Sequence, residues 1–434
     1  MGSNVTNSLA AKRRSGVSAV FGAIILIQMA NDIMMGWWFP WDPNNEAIRF
    51  WPHFFHALLM IQVIAYFISH FRQMLDLRVV RYQILWLGIL TLRFLYSGNI
   101  TGSLTLYMSY YAFWVFVFWG CYCMVANGHL KVRQVAVIGT VLNALFALRT
   151  ILYISFGFWI GVNVGYGSPS DHIANAAYPM LWFTLMQMLD LKIPFGKSVA
   201  LLGAATIVLS TKRGALIALI VSSIAYGISY AYIHRQKRGF QRVALVSVLL
   251  AIVIAAMVWV RAADISARWS DLGDPEVAGS GRAVFWALIA QNWLIASPIT
   301  KVIGYGPHSV YDLTGDSWFA AVPAHNDWLM LLHEFGILGL VSFIGILLVL
   351  ASNLPRLIRN CPQLAPAFTA ALAGALCVMA FDLFCYNTET AFFSLLIAVP
   401  LGICERRFSS RAVRKPRYSL LCRRNAILKP VHIG

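Results

Sequence analysis

The sequence predicts an all-α, polytopic integral membrane protein of about twelve transmembrane helices, with one large outer loop at about 261–326. Composition is the first observation behind this. Of 434 residues, 59% come from the set AVILMFWYC and 12% are charged, and the mean hydropathy is +0.68. A soluble domain holds about 45–50% apolar and about 25% charged residues, so a soluble fold is excluded. The second observation is a series of apolar windows, several of them long enough to cross the hydrocarbon core, which takes roughly 20 helical residues. The third is charge. Thirty-four Lys+Arg against 17 Asp+Glu leave +17, and most of the basic residues fall on one side of the predicted membrane.

In chain order the windows lie near 17–35, 53–69, 79–95, 104–126, 134–156, 173–189, 196–210, 213–233, 242–260, 328–351, 364–385 and 390–404. Lys12, Arg13 and Arg14 precede the first window, which lacks a small-residue cleavage site and reads as a retained span. The seventh and twelfth windows are short for a full crossing and suit tilted, broken or partly re-entrant helices. With a cytoplasmic N-terminus, 25 of the 34 basic residues map inside, and every inner loop obeys the positive-inside rule. Both termini are therefore expected in the cytoplasm. The chain divides into a cytoplasmic N-terminus (1–16), helices one to nine (17–260), the outer loop domain (261–326), helices ten to twelve (327–404) and a basic cytoplasmic tail (405–434). The tail suits anionic inner-leaflet lipid better than a protein partner, and no nucleic-acid partner is expected. No internal repeat is evident. The seven cysteines show no zinc-site spacing, and most read as small buried hydrophobes.

The charges outside the cytoplasmic loops carry more information. Asp32, Arg93, Arg149, Arg213 and Asp382 lie within or beside apolar windows, where ionisable groups are costly and usually functional. Each falls toward the outer end of its span, and Arg49, Asp171, Lys212 and Glu389 sit in outer connections. An ion-coupled transporter would gather such groups near the midplane; this chain gathers them at one face.

At the eighth window the chain reads Ser210-Thr211-Lys212-Arg213-Gly214. Two basic residues flanking a span can simply snorkel to the interface. These two lie on the outer side, however, and Arg213 opens a helix, where the macrodipole disfavours a cation unless an anion sits nearby. In the loop, Ser280-Gly281-Arg282 opens an amphipathic stretch with Trp286 and Trp293 on its apolar positions. That stretch reads either as a helix lying on the membrane or as the carrier of a second phosphate ligand, Arg282, through its bidentate guanidinium. Asp312–Ser317 reads as a polar turn. Ala324-His325-Asn326-Asp327 precedes the tenth window, with Asn326 or Asp327 as helix cap. His333 is expected inside that span, away from the loop, and Glu334 reads as either buried or solvent-facing. His325 and His333 have no further ligands, so no metal site is expected. The Gly161–Gly167 stretch matches no phosphate-cradling spacing and reads as a flexible outer loop.

On these residues the chain resembles the superfamily of bacterial O-antigen ligases, Wzy-type polysaccharide polymerases and protein O-oligosaccharyltransferases. The likeness covers roughly 200–345 and, by topology, most of the chain. Its most specific piece is a His-Asn, nine residues, Gly-x-x-Gly pattern, met by His325-Asn326 and Gly336-x-x-Gly339. Gly281-Arg282, Trp286, Pro298, Gly304 and Gly306 resemble the family's loop, and Arg213 approximates its Arg-x-x-x-Leu motif with Ile217 in place of Leu.

The resemblance implies an inner-membrane glycosyltransferase that takes an undecaprenyl-diphosphate-linked glycan as donor and an acceptor glycan or lipid A-core as acceptor. It requires no cofactor and no metal. Arg213, with Lys212 and Arg282, would hold the diphosphate, and His325 would orient or deprotonate the acceptor hydroxyl at the periplasmic face. The overall look of the loop favours an exopolysaccharide or O-antigen polymerase over an O-antigen ligase, with a chain-length regulator and a flippase as further partners. A protein-glycosylating member often carries an extra C-terminal domain, which the basic tail does not supply. A polysaccharide or lipid transporter or flippase is the reading from another class, and the one-sided charges argue against it.

Overall fold

The computed structural model describes residues 61, 68, 71–96, 102–156, 169–190, 192–210, 212–233, 282–318, 324–382, 384 and 389–414. Among them every element is helical. In chain order these are α1 (Phe71–Leu75), α2 (Arg78–Tyr96), α3 (Gly102–Ala126), α4 (Val132–Phe156), α5 (Pro169–Gln187), α6 (Gly196–Leu209) and α7 (Arg213–Ile233). They continue with α8 (Arg282–Ile295), α9 (Pro298–Ile303), α10 (Ser309–Trp318), α11 (Asp327–Ser352), α12 (Leu354–Asn360), α13 (Ala365–Phe381) and α14 (Glu389–Arg414). The apolar windows from 79–95 to 213–233, and the last three, coincide with these helices. The windows 17–35 and 242–260 and nearly all of 53–69 lie outside the described residues, as do Asp32, Arg49, the Gly161–Gly167 stretch and Gly281. The side chains of Asp171 and Glu389 lie outside them too.

Four described helical stretches are long and apolar enough to cross a membrane: Arg78–Tyr96, Val132–Phe156, Arg213–Ile233 and Asp327–Asn360. Within lipid, helices associate through close packing rather than through escape from water, which favours small residues at their contacts. The pairing of α7 with α13 shows this. A Cβ added to Gly374 of α13 would stand 2.4 Å from the Ser222 hydroxyl of α7, and Ala370, Ala371 and Ala375 are buried beside it. Other contacts join α3 to α14, α4 to α5 and α6, and α2 to α11. Trp86 of α2 meets Phe335 and Phe343 of α11 edge-on, with ring centroids 5.7 and 5.5 Å away, a favourable aromatic geometry.

Three local expectations change. Asp312–Ser317 belongs to a helix, α10, rather than a turn. Asp312 lies in its first turn, where a carboxylate favours the helix dipole, and buried Val310 and Thr314 fasten one face. The twelfth window, read as short, is part of a 26-residue helix, α14, containing Pro400. Glu405, Arg406 and Arg407 end its apolar run without ending its helicity. The tenth window is a helix broken at Gly336, whose φ of 65° and ψ of −166° are not helical.

Candidate functional site

Two chain segments meet at Asp382, the residue that ends α13. The backbone at His325 is left-handed (φ 47°), a conformation that costs a residue with a Cβ and recurs at functional sites. The next residue, Asn326, is extended and caps α11 by accepting from the Leu329 amide at 3.1 Å. This corner places His325 Nδ1 2.9 Å from Asp382 Oδ1. Asp382 Oδ2 lies 3.9 Å from Lys212 Nζ, just before α7, and that ammonium stands 5.6 Å from the Tyr178 ring centre.

The geometry assigns the imidazole tautomer. An ionised carboxylate only accepts hydrogen bonds, so Nδ1 carries the proton toward Asp382 and Nε2 presents its lone pair. The imidazole remains 33% exposed, and among the described residues Nε2 has no hydrogen-bond partner. A hydroxyl arriving there can therefore give up a proton while Asp382 stabilises the resulting cation.

The surrounding elements fix this corner from three sides. Phe384 N donates to Asp327 Oδ2 at 2.6 Å, and Asn326 Nδ2 donates to Ala380 O at 3.4 Å. From α8, Trp286 Nε1 donates to Ala324 O at 2.7 Å and Arg282 Nη1 donates to Phe381 O at 2.7 Å. A guanidinium there satisfies a terminal carbonyl of α13 and matches the negative end of its dipole. Arg213 opens α7, whose second residue, Gly214, packs so tightly that a Cβ would stand 2.3 Å from the Tyr178 hydroxyl and 3.0 Å from the Phe381 side chain. Arg213 is half-buried and makes no hydrogen bond or ion pair among the described residues. The structure thus brings His325, Lys212 and Arg282 together around the end of α13 and sets Arg213 beside Lys212.

A second assembly holds the loop helices against α11. Tyr305 N donates to His333 O at 2.8 Å and Gly306 N to Glu334 O at 3.0 Å. Gly304 and Gly336 combine a positive φ with backbone packed where a Cβ would be. A Cβ on Gly304 (φ 77°) would lie 2.3 Å from Glu334 O, and one on Gly336 would lie 2.3 Å from Val302 O. Arg93, at the end of α2, donates from Nη2 to Gly304 O at 3.1 Å.

His333 corrects an expectation: it is not away from the loop but locked to it. Its Nδ1 meets Ser309 Oγ at 3.1 Å, its Nε2 meets Asn292 Oδ1 at 3.1 Å, and its ring stacks on Tyr305 at 4.6 Å. The loop reaches down beside the span, which the linear sequence does not reveal. Glu334 is fully buried and accepts from the Tyr111 hydroxyl at 3.2 Å.

Lys212, a residue expected on the diphosphate, lies near Asp382 and the Tyr178 ring. Asp382 itself carried no assigned role in the sequence, although a carboxylate at the outer end of an apolar window was a usable signal. Among the described residues no group of three or more His, Cys, Asp or Glu side chains could hold a metal ion.

Residues 198–344 match the family model described as O-antigen ligase. No curated protein matches the chain. The matched third of the chain contains Lys212, Arg213, Arg282, His325, Gly336 and Gly339, and it supports the superfamily resemblance read from the sequence.

Proposed function

From the O-antigen ligase family match over residues 198–344, we propose that the protein is a glycosyltransferase of the bacterial inner membrane that polymerises undecaprenyl-diphosphate-linked oligosaccharide repeats at the periplasmic face. The observation that carries this reading is the His325–Asp382 pair at 2.9 Å, set where basic side chains from two elements gather. His325 Nε2 accepts the proton of the acceptor hydroxyl, and Asp382 holds the imidazolium. The hydroxyl oxygen bonds to the anomeric carbon from the face opposite the leaving group. The bond from that carbon to the diphosphate oxygen breaks, its electron pair departs with the polyprenyl diphosphate, and the anomeric configuration inverts. Arg213, whose guanidinium has no partner among the described residues, takes the diphosphate through its two-pronged donor geometry. Arg282 adds positive potential from the end of α13. Lys212 lies nearer Asp382 and contributes charge to the same region. The donor is already activated, so neither cofactor nor metal takes part.

The family description favours one second reading: an O-antigen ligase, in which lipid A-core supplies the acceptor hydroxyl. Purified full-length protein with synthetic undecaprenyl-diphosphate oligosaccharide separates the two. A polymerase makes a ladder of lipid-linked products from the donor alone, whereas a ligase adds glycan only when lipid A-core is present. Turnover should persist in EDTA. Absence of transfer to either acceptor would refute the glycosyltransferase reading, and chelator-sensitive turnover restored by a divalent ion would refute the metal-free step.

A further inference from the structure

The loop between α8 and α11 carries an apolar edge that the site does not use. Leu294 and Ile295 at the end of α8, and Ile299 and Val302 on α9, are between 49% and 76% exposed. Elsewhere on a water-facing loop four such residues in nine would be a liability. They adjoin Ile337 and Leu338 of α11, themselves 44% and 45% exposed, because α9 packs on α11 and Val302 O abuts Gly336. The edge therefore continues the apolar flank of a membrane-crossing helix.

With α11 taken to leave the membrane at Ser352 and α2 to enter it at Arg78, both helices place this edge at membrane level. Counting about 20 residues, the length that crosses the hydrocarbon, back from Ser352 at the far end of α11 reaches His333, which bonds the α8–α10 loop. Counting up α2 from Arg78 at about 1.5 Å per residue puts Arg93, and Gly304 bonded to it, roughly 22 Å above the opposite boundary. Residues 282–311 contain Arg282, Lys301 and His308 but no Asp or Glu, a balance suited to anionic headgroups. Lys301 stands 6.0 Å from the Trp293 ring centre, so a cation and an aromatic ring share this edge, as is common at membrane interfaces.

We propose that the end of α8 and all of α9 form a foot inserted into the leaflet on the site's side, with phospholipid acyl chains as its partner. The foot anchors α8, whose Trp286 holds the carbonyl preceding His325. It thereby keeps the reacting groups at the depth of a lipid-linked diphosphate; this last consequence rests on the glycosyltransferase reading, while the insertion itself does not.

The test attaches a nitroxide to a single introduced cysteine, Ile299→Cys or, as a second position, Ile295→Cys, in full-length protein whose native cysteines are replaced. The protein is reconstituted in nanodiscs of phosphatidylethanolamine and phosphatidylglycerol. Collision with oxygen, which concentrates in lipid, is compared with collision with a water-soluble nickel chelate. Leu338→Cys marks lipid and Asp312→Cys marks water. Labels at 295 and 299 should relax with oxygen as at 338. A nickel response like that at 312 would overturn the proposal, and so would shielding from both reagents, which would mean a protein partner covers the edge. Glycan transfer is measured on the same samples. Transfer with a water-exposed foot defeats this inference alone, and a lipid-embedded foot without transfer defeats the glycosyltransferase reading alone.

Discussion

Substituting Gly336 by alanine tests whether the loop's seating on α11 governs the site. The new Cβ would stand 2.3 Å from Val302 O and 2.6 Å from Gly304 N. Contacts under about 3.0 Å essentially never occur at a real Cβ, so the loop backbone must retreat by at least ~0.7 Å, on the basis of close packing. The dihedrals of φ 65° and ψ −166° lie in a region almost confined to glycine, where strain costs about 1–3 kcal/mol. Retreat also stretches the Tyr305 and Gly306 amide bonds to His333 O and Glu334 O, each contributing about 0.5–1.5 kcal/mol. Together the perturbation amounts to roughly 2–6 kcal/mol, enough to shift the loop relative to α11. Because α8 of the same loop holds Ala324, His325 moves with it, and a misplacement near 1 Å can reduce rate by about 10²-fold. The assay compares membrane insertion, monodispersity in detergent and glycan transfer for Gly336→Ala with those for Gly88→Ala. No atom lies within 4 Å of a Cβ on Gly88, and alanine in that helix is intrinsically favoured by up to about 1 kcal/mol. Full transfer activity in well-folded Gly336→Ala would refute the argument that this junction positions the site.

Further substitutions at four residues sharpen the site. Asp382→Asn should lower transfer by about 10²–10⁴-fold, as should His325→Ala; a neutral amide no longer stabilises the imidazolium, and normal turnover in Asp382→Asn would remove the aspartate from the mechanism. Arg213→Ala should abolish product at normal expression and Arg213→Lys should restore part of it, because lysine keeps the charge but loses the fork; wild-type glycan output from the alanine variant would sink the diphosphate role. His333→Gln should retain more activity than His325→Ala yet speed proteolysis of the α8–α10 region, since it weakens the bonds to Asn292 and Ser309; unchanged digestion would show that His333 does not fasten the loop.

The described apolar helices, and the Lys212-Arg213 pair as a candidate, were legible because their signals are local. A bilayer demands long apolar runs, and a lysine–arginine pair on the expected outer side of a span conflicts with the charge rule. Arg213 therefore stood out without any partner being known. The pairing of His325 with Asp382 crosses 57 positions of sequence, and no helical period relates a residue before one span to the residue ending the next. His333 misled for the same reason. Its position within an apolar window was read correctly, but Asn292 and Ser309 reach it from a loop whose path depends on Gly304 and Gly336 fitting together. Neither glycine announces its partner in the sequence.

On the proposed reading, the antiparallel contact of α7 with α13 would let one small region hold an anion and a proton acceptor together. The start of α7 presents unpaired amide dipoles and therefore positive potential, while the end of α13 presents carbonyls and negative potential. Arg282 covers the carbonyl of Phe381, so the α13 end would repel the proposed diphosphate less. Arg213 adds its charge at the α7 end, and no described acidic side chain pairs with it. Asp382 would oppose that anion if its charge were uncompensated, but His325 lies on one carboxylate oxygen and Lys212 near the other. The carboxylate can thus hold the imidazole in one tautomer while its field toward the donor is offset. Deleting Lys212 would then weaken donor binding even if the ammonium never touches a phosphate, because it would leave the carboxylate charge facing the incoming diphosphate.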